Sequence, residues 1–480
     1  MVRGSAFVLL TNAISLLTTI AVAVLIARKW GAAEFGVYTF ILAVALLLLP
    51  LVSLGADMMI IVLASREPRQ AGRYLGGGLV LVGLGALPML AIMIGVLRFS
   101  GTSNEGVWTA VAGAFFVVFG AMALIFRAIF HSRMRMELET VGLSVERALW
   151  LVGAAAVVLL GGGLALLFAA LAAGRLANVG VSAWLARRRL GIVPQVRVPA
   201  GWLLKLARQA LPYGLNLVLA GAYTQLDIIL LQTMRGASEV GLYRAASALV
   251  TSLPVIAVSL NAALLPRMSR LASAERANAA PLCRRSFRYM LLTSALLAAL
   301  LLALGRPVIL LLFGAPYLAS LAALQIAAWS LPLHFIKHSL AYTLTSIGDQ
   351  VYRTAAIVVG TAACVASSLA LIPRLGIRGA AVSMLITEVV IVGLLWAFLA
   401  LRIPGLRLWP MTPKPVLAAI AAGATAWLLA PAWLPVPIAG GATVFVAAIA
   451  ALRGFEAEDV SLLRRIVSKL SRRKSCLESR

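Results

Sequence analysis

Fourteen stretches of roughly 20 mostly apolar residues follow one another along the chain, and that feature leaves very few folds open to it. They run over 6–27, 38–63, 75–97, 107–126, 141–160, 164–186, 211–232, 240–265, 289–313, 318–346, 354–373, 377–401, 413–430 and 436–452. Hydrocarbon cannot hydrogen-bond an exposed backbone, so a span must be a helix or part of a closed barrel. Runs this long lack the alternation of barrel strands. The chain is 62% hydrophobic and only 12% charged, which excludes an ordinary soluble domain. The sequence predicts an all-α integral membrane protein of about 14 transmembrane helices. The fifth stretch carries Glu146 and Arg147 near one end, and the last two are short, joined through Pro431, Pro435 and Pro437.

The formal charge is +26, from 42 Lys and Arg against 16 Asp and Glu. If the N-terminus is cytoplasmic, most basic residues fall on the inner side, among them Arg66, Arg69, Arg73, Arg127, Arg187, Arg188, Arg189 and Arg284. Outer loops hold only Arg28, Lys29, Arg98, Arg235, Arg374 and Arg378. This is the positive-inside pattern, and it predicts both termini in the cytoplasm. The excess charge then faces anionic inner-leaflet lipids, and no nucleic-acid partner is needed. The first stretch is too long for the apolar part of a signal peptide. Beyond the last span, Val460, Leu463, Val467 and Leu470 recur at helical spacing opposite Arg464, Arg465, Lys469 and Arg472. That tail is expected to lie on the inner leaflet.

An internal repeat gives the plan of the bundle. GAAEFGVY spans Gly31 to Tyr38, and GASEVGLY spans Gly236 to Tyr243. The offset covers six predicted helices, an even number, so both halves share one orientation. The expected architecture is two parallel-related six-helix bundles, residues 1–186 and 211–402, around a central cavity. A basic cytoplasmic linker (187–210), a C-terminal helix pair (403–453) and the basic tail (454–480) complete it.

Ionisable groups inside a bilayer are costly and rare, so each is a candidate for function. The deepest are Arg175, Lys337 and Glu388, expected to line the cavity. Asn12 belongs to a polar stripe with Ser15 and Thr19 that lines the same space or joins helices. Asp57, Asp227 and Arg244 are candidates for ion coupling or for structural salt bridges, and Asp227 and Arg244 are placed to pair. His334 and His338 flank Lys337 and read as cavity lining or core rather than as a zinc site. Pro50, Pro88, Pro254 and Pro332 interrupt spans and are expected bending points. Three His, three Cys and no GxxxxGK[ST] loop point to no metal, no cofactor and no nucleotide hydrolysis.

The loop Arg28–Lys29–Trp30–Gly31 leading into Glu34–Phe35–Gly36–Val37–Tyr38 resembles the opening of polysaccharide transporters in the multidrug/oligosaccharidyl-lipid/polysaccharide exporter superfamily. Pro212, Asp227, Gly241–Leu242–Tyr243 and Ala245–Ala246 are similar to the start of that family's second half. Leu265–Pro266, Leu312–Phe313–Gly314 with Tyr317, and Ile372–Pro373 with Gly376, Gly379 and Ala380 extend the resemblance over nearly the whole chain. It implies a flippase of the bacterial inner membrane, moving an undecaprenyl-diphosphate-linked oligosaccharide for exopolysaccharide or lipopolysaccharide synthesis. An ion gradient of protons or sodium would drive it, and a polysaccharide polymerase or assembly complex would be its partner. Flippases of this superfamily that handle the peptidoglycan precursor carry arginines within their first helices, and the stretch 6–27 has none. Drug antiporters of the superfamily place a carboxylate in the first helix, also missing here, and lack the last helix pair. A small-molecule antiporter is nevertheless the nearest alternative. An outer-face polymerase or ligase is disfavoured because the outer loops carry only Glu34, Glu105 and Glu239 as acids and no histidine.

Overall fold

A computed structural model of the protein contains sixteen α-helices and no strand among the described residues. In order these are α1 (Val2–Ser53), α2 (Ala56–Arg66), α3 (Ala71–Phe99), α4 (Glu105–Ser132), α5 (Met136–Leu159), α6 (Leu164–Leu190), α7 (Ala200–Arg235) and α8 (Ala237–Ser252). They continue as α9 (Val255–Ala274), α10 (Ala280–Leu312), α11 (Leu321–Ala328), α12 (Ser330–Ser346), α13 (Gln350–Leu375), α14 (Ile377–Arg402), α15 (Pro413–Leu428) and α16 (Pro435–Ala451). The structure describes residues 2–99, 105–274, 280–403, 406 and 408–452; the side chains of 2–13, 97–99, 105–106, 262–263, 265–267, 272–274 and 409 are not part of that description. The tail at 454–480 and the side chain of Asn12 thus lie outside the described residues.

All the apolar stretches lie on helix, but helices and stretches do not correspond one to one. The first two share α1, which changes direction at Gly31, where φ 80° and ψ −177° belong to a region only glycine enters readily. The second breaks again at Leu54–Gly55, the eighth at Leu253–Pro254, and the tenth between Ala328 and Ser330 with a 41° bend. Pro50 and Pro88 stay inside α1 and α3. Among the described residues, ten helices are long and apolar enough to cross a membrane, or up to eleven with the bent pair counted as one span. The difference from fourteen has two sources. α1 carries two stretches, and α15 and α16, at 16 and 17 residues, fall short of the roughly 20 that a bilayer core asks for. The segment 187–210 includes the end of α6, which runs on to Leu190, and the start of α7 at Ala200.

Packing repeats from one half to the other. In the first half α5 packs on α6, α4 on α6 and α1 on α5; in the second, α13 packs on α14, α12 on α14 and α7 on α13. The pair α15–α16 rests on α10. Between the halves, α1 packs on α8 and α7, and α2 packs on α7.

The two octapeptides meet each other. An added Cβ on Gly36 would overlap the Ala237 carbonyl, and one on Gly241 would overlap the Ala32 carbonyl. The sixth position of each copy therefore lies on the second position of the other, the reciprocity a twofold axis imposes. Gly236 repeats the unusual backbone of Gly31, with φ 88° and ψ 177°. Around this contact, Arg28 donates through Nε to the Leu312 carbonyl at 2.8 Å and through Nη2 to the Leu311 carbonyl, capping the C-terminus of α10. The Tyr317 hydroxyl donates to the Ala27 carbonyl at 3.1 Å, and Phe35 lies against Phe313 and Tyr317, with centroids 6.3 Å away in each case. Arg28→Ala removes an exposed helix cap worth about 1 kcal/mol. The expected result is faster maleimide labelling of a cysteine placed at Ala32, and an unchanged rate would show that the cap does not hold the halves together.

Candidate functional site

Each half contains a cavity with charged side chains on its wall, among its own helices. The larger, about 520 Å³, lies in the second half and is lined by residues of α7, α8, α12, α13 and α14. At its centre the Lys337 ammonium donates to Glu388 Oε1 at 2.8 Å and to the Tyr223 hydroxyl at 2.5 Å. Tyr223 in turn donates to the same carboxylate oxygen, and His334 Nδ1 lies 3.2 Å from both Lys337 Nζ and Glu388 Oε1. Glu388 is 1% exposed, and its second oxygen, Oε2, has no hydrogen-bond partner; neither has His334 Nε2. Helical spacing assembles the cluster: Lys337 follows His334 by three residues on α12, so both face α14. His338 lines the same cavity, and no group of three metal-ligating side chains occurs among the described residues.

Asp227 and Arg244 also line this cavity but form no ion pair with each other among the described residues. The Asp227 carboxylate instead accepts from the Tyr243 hydroxyl at 2.6 Å and from the Ile228 amide at 2.8 Å. Arg244, the next residue on α8, lines the same cavity and acts on Asp227 by charge without a direct ion pair.

The smaller cavity, about 230 Å³, lies in the first half between α1, α4, α5 and α6. Arg175 on α6 donates to the Phe116 carbonyl at 2.6 Å, with its guanidinium 3.5 Å from the centre of the Phe116 ring. Its Nε is 3.8 Å from Glu146 Oε1, and Asn178 Nδ2 donates to Glu146 Oε2 at 2.6 Å. Arg175 and Glu388 are counterparts in the repeat: each stands 12 residues after the glycine preceding its helix (163 to 175, 376 to 388). One half thus places a cation where the other places an anion, and each has recruited a partner of opposite sign.

Asp57 is set apart from both cavities. It sits in the first turn of α2, 7% exposed, and accepts from Ser53 Oγ at 3.4 Å, a position where a carboxylate complements the helix dipole. Tyr223, Glu146 and Asn178 were not among the residues singled out from sequence. Tyr223 precedes Asp227 by four and Asn178 follows Arg175 by three, so both carried a same-face signal. Glu146 had seemed to lie near a membrane boundary, but α5 starts at Met136, about 15 Å of helix rise before it.

The sequence profile of a family described as "Polysaccharide biosynthesis protein" matches residues 1–272, more than half of the chain. The chain belongs to that family. A second profile, MatE, matches residues 212–370. No match was found among curated proteins. Among solved structures, the lipid II flippase MurJ in an inward closed conformation superposes with a TM-score of 0.77 at 14% identity, covering 94% of this chain and 99% of that one. An inward-facing multidrug resistance MATE family transporter of the MOP superfamily gives 0.69 at 17% identity, over 81% and 94% of the two chains. An outward-facing MATE family transporter gives 0.60 at 15%, over 85% and 96%. At such identities the likeness establishes the fold, that of MOP superfamily transporters. These are transporters and flippases, not enzymes.

Proposed function

We propose that the chain is a flippase that carries an undecaprenyl-diphosphate-linked oligosaccharide across the bacterial inner membrane by alternating access. The observation that carries this reading is the reciprocal packing of the two octapeptides. Two equivalent halves closed on each other at one end can rock about that contact and open toward either side in turn. Family membership supports this substrate class, since polysaccharide synthesis needs lipid-linked units on the outer face. In this reading the chain makes fourteen passages with both termini inside, and the octapeptides lie on the outer side. Residues 1–186 and 211–402 form the two rocking lobes, joined by the linker at 187–210. The pair 403–453 is an addition to the two lobes, the tail 454–480 lies on anionic inner-leaflet lipids, and a polysaccharide polymerase or assembly complex receives the product.

Asn12, Arg175, Lys337 and Glu388 are assigned to the substrate path, and Asp57, Asp227 and Arg244 to ion coupling or structural support. A proton or sodium gradient supplies the driving force. A deletion strain is expected to accumulate lipid-linked repeat units on the inner face, reversed by the wild-type gene; normal export without the gene would refute the reading. The MatE profile over 212–370 favours one second reading, a small-molecule cation antiporter. Export of cationic drugs by the purified protein, without movement of any glycolipid, would establish it instead.

A further inference from the structure

An ammonium has three N–H donors, and those of Lys337 are all engaged in the second-half cavity. They reach Glu388 Oε1 at 2.8 Å, the Tyr223 hydroxyl at 2.5 Å and His334 Nδ1 at 3.2 Å. Tyr223 donates to the same Oε1, so one carboxylate oxygen carries the whole cluster. The other, Oε2, is buried and has no hydrogen-bond partner. Further titratable and charged groups around Glu388 are Asp227 on α7, Tyr243 and Arg244 on α8, His338 on α12, and Arg353 and Cys364 on α13, while α11 carries none. Both oxygens of Asp227 are already taken, Oδ1 by the Ile228 amide and Oδ2 by the Tyr243 hydroxyl. Among the described residues, Glu388 Oε2 is therefore the one carboxylate oxygen of this cavity left free.

We propose that Lys337 is an ion-selectivity residue: its ammonium fills the cation position beside Glu388, excludes sodium, and leaves the proton as the coupling ion, taken up on Glu388 Oε2. A hard metal cation needs a shell of several oxygens at once. Here the ammonium occupies the space between Glu388 Oε1 and the Tyr223 oxygen, the two oxygens such a shell would start from. A second cation on Oε1 would also meet the ammonium at close range in a poorly screened site. A proton asks for a single lone pair, and Oε2 offers one. When it arrives, an O–H bond forms on Oε2 and the carboxylate becomes a neutral acid. Lys337 then loses its counter-charge, and the link between α12 and α14 weakens. On the opposite side of the membrane the O–H bond breaks, the proton passes to water and the ion pair forms again. The adjoining cavity, about 520 Å³, has room for the water that carries the proton. The transport step rests on the flippase reading; the selectivity of the site does not.

The test reads the unfolding midpoint of the full-length protein in detergent, in sodium chloride against choline chloride at equal ionic strength. The wild type and Lys337→Arg both keep a cation at the position, and each shows the same midpoint in the two salts. Lys337→Ala frees Glu388 Oε1 and the Tyr223 oxygen for an entering ion. Sodium then raises its midpoint saturably, with half effect at a concentration about tenfold or more below any that moves the wild type. Lys337→Ser serves in its place should the alanine variant not fold. Stabilisation of the wild type by sodium overturns the proposal, and so does a folded alanine or serine variant that ignores sodium. In vesicles carrying a labelled lipid-linked oligosaccharide, a pH gradient with the acid side outside speeds movement by the wild type, and a sodium gradient at uniform pH does not. Acceleration by sodium, or indifference to the pH gradient, also overturns it. No movement of the lipid at all, with sodium selectivity still governed by position 337, would defeat the flippase reading and leave the ion site standing.

Discussion

Valine in place of Gly36 or Gly241 is expected to hold the two halves apart where the octapeptides meet and to stop transport. At both positions the atoms in the way are backbone, the Ala237 and Ala32 carbonyls, so no rotamer change relieves the overlap. Overpacking of this kind costs typically about 1–3 kcal/mol. The cost falls on the closed arrangement alone, so the balance of conformations shifts by about 5- to 150-fold toward separation at that end. Because the contact is reciprocal, the two variants should behave alike, which a chance clash at one loop would not produce. Maleimide labelling of a cysteine placed at Ala32 gives the readout: slow in the parent, faster with either valine. Parental labelling and transport in both valine variants would show that this contact is not a gate.

The second large effect is expected at the Lys337–Glu388 pair. Glu388→Gln leaves the Lys337 ammonium buried beside Tyr223 and His334 without a carboxylate, a loss of about 3–5 kcal/mol in stability. Replacing both partners with methionine removes charge and counter-charge together, and such exchanges are often neutral in stability. The double variant should therefore unfold near the wild-type temperature while the single one does not. Transport separates a working pair from a structural one: the stable double variant is expected to be inactive. A stable and fully active double variant would reduce the pair to a packing device.

Much of this arrangement could be read from the sequence, and the places where it could not have physical reasons. The octapeptides announced the pseudo-twofold axis because their glycines are fixed by backbone contact and by a conformation closed to other residues, which leaves a sharp trace at Gly31, Gly36, Gly236 and Gly241. Arg175, Lys337 and Glu388 stood out because depth in an apolar run makes a charge conspicuous. Their partners did not. Glu146 looked peripheral because the polar first turns of α5 resemble a loop, and Tyr223 is unremarkable in an apolar helix until the fold brings it to Lys337. Asp227 is matched to Arg244 by sequence, and the structure adds a hydrogen bond from Tyr243, one residue earlier on α8. The number of passages was blurred where a helix bends without an intervening loop, as α1 does at Gly31.

The central claim is that this two-lobed membrane protein moves lipid-linked oligosaccharides, and reconstitution tests it most directly. The purified protein would be placed in vesicles carrying a fluorescent oligosaccharide on an undecaprenyl diphosphate, and a membrane-impermeant quencher would report the outer-leaflet fraction over time. With an imposed ion gradient, the wild type is expected to move the labelled lipid between leaflets, and the Gly36→Val variant is not. Labelled lipid that stays in its original leaflet at the rate of empty vesicles, with the protein folded and every gradient tried, would contradict the account.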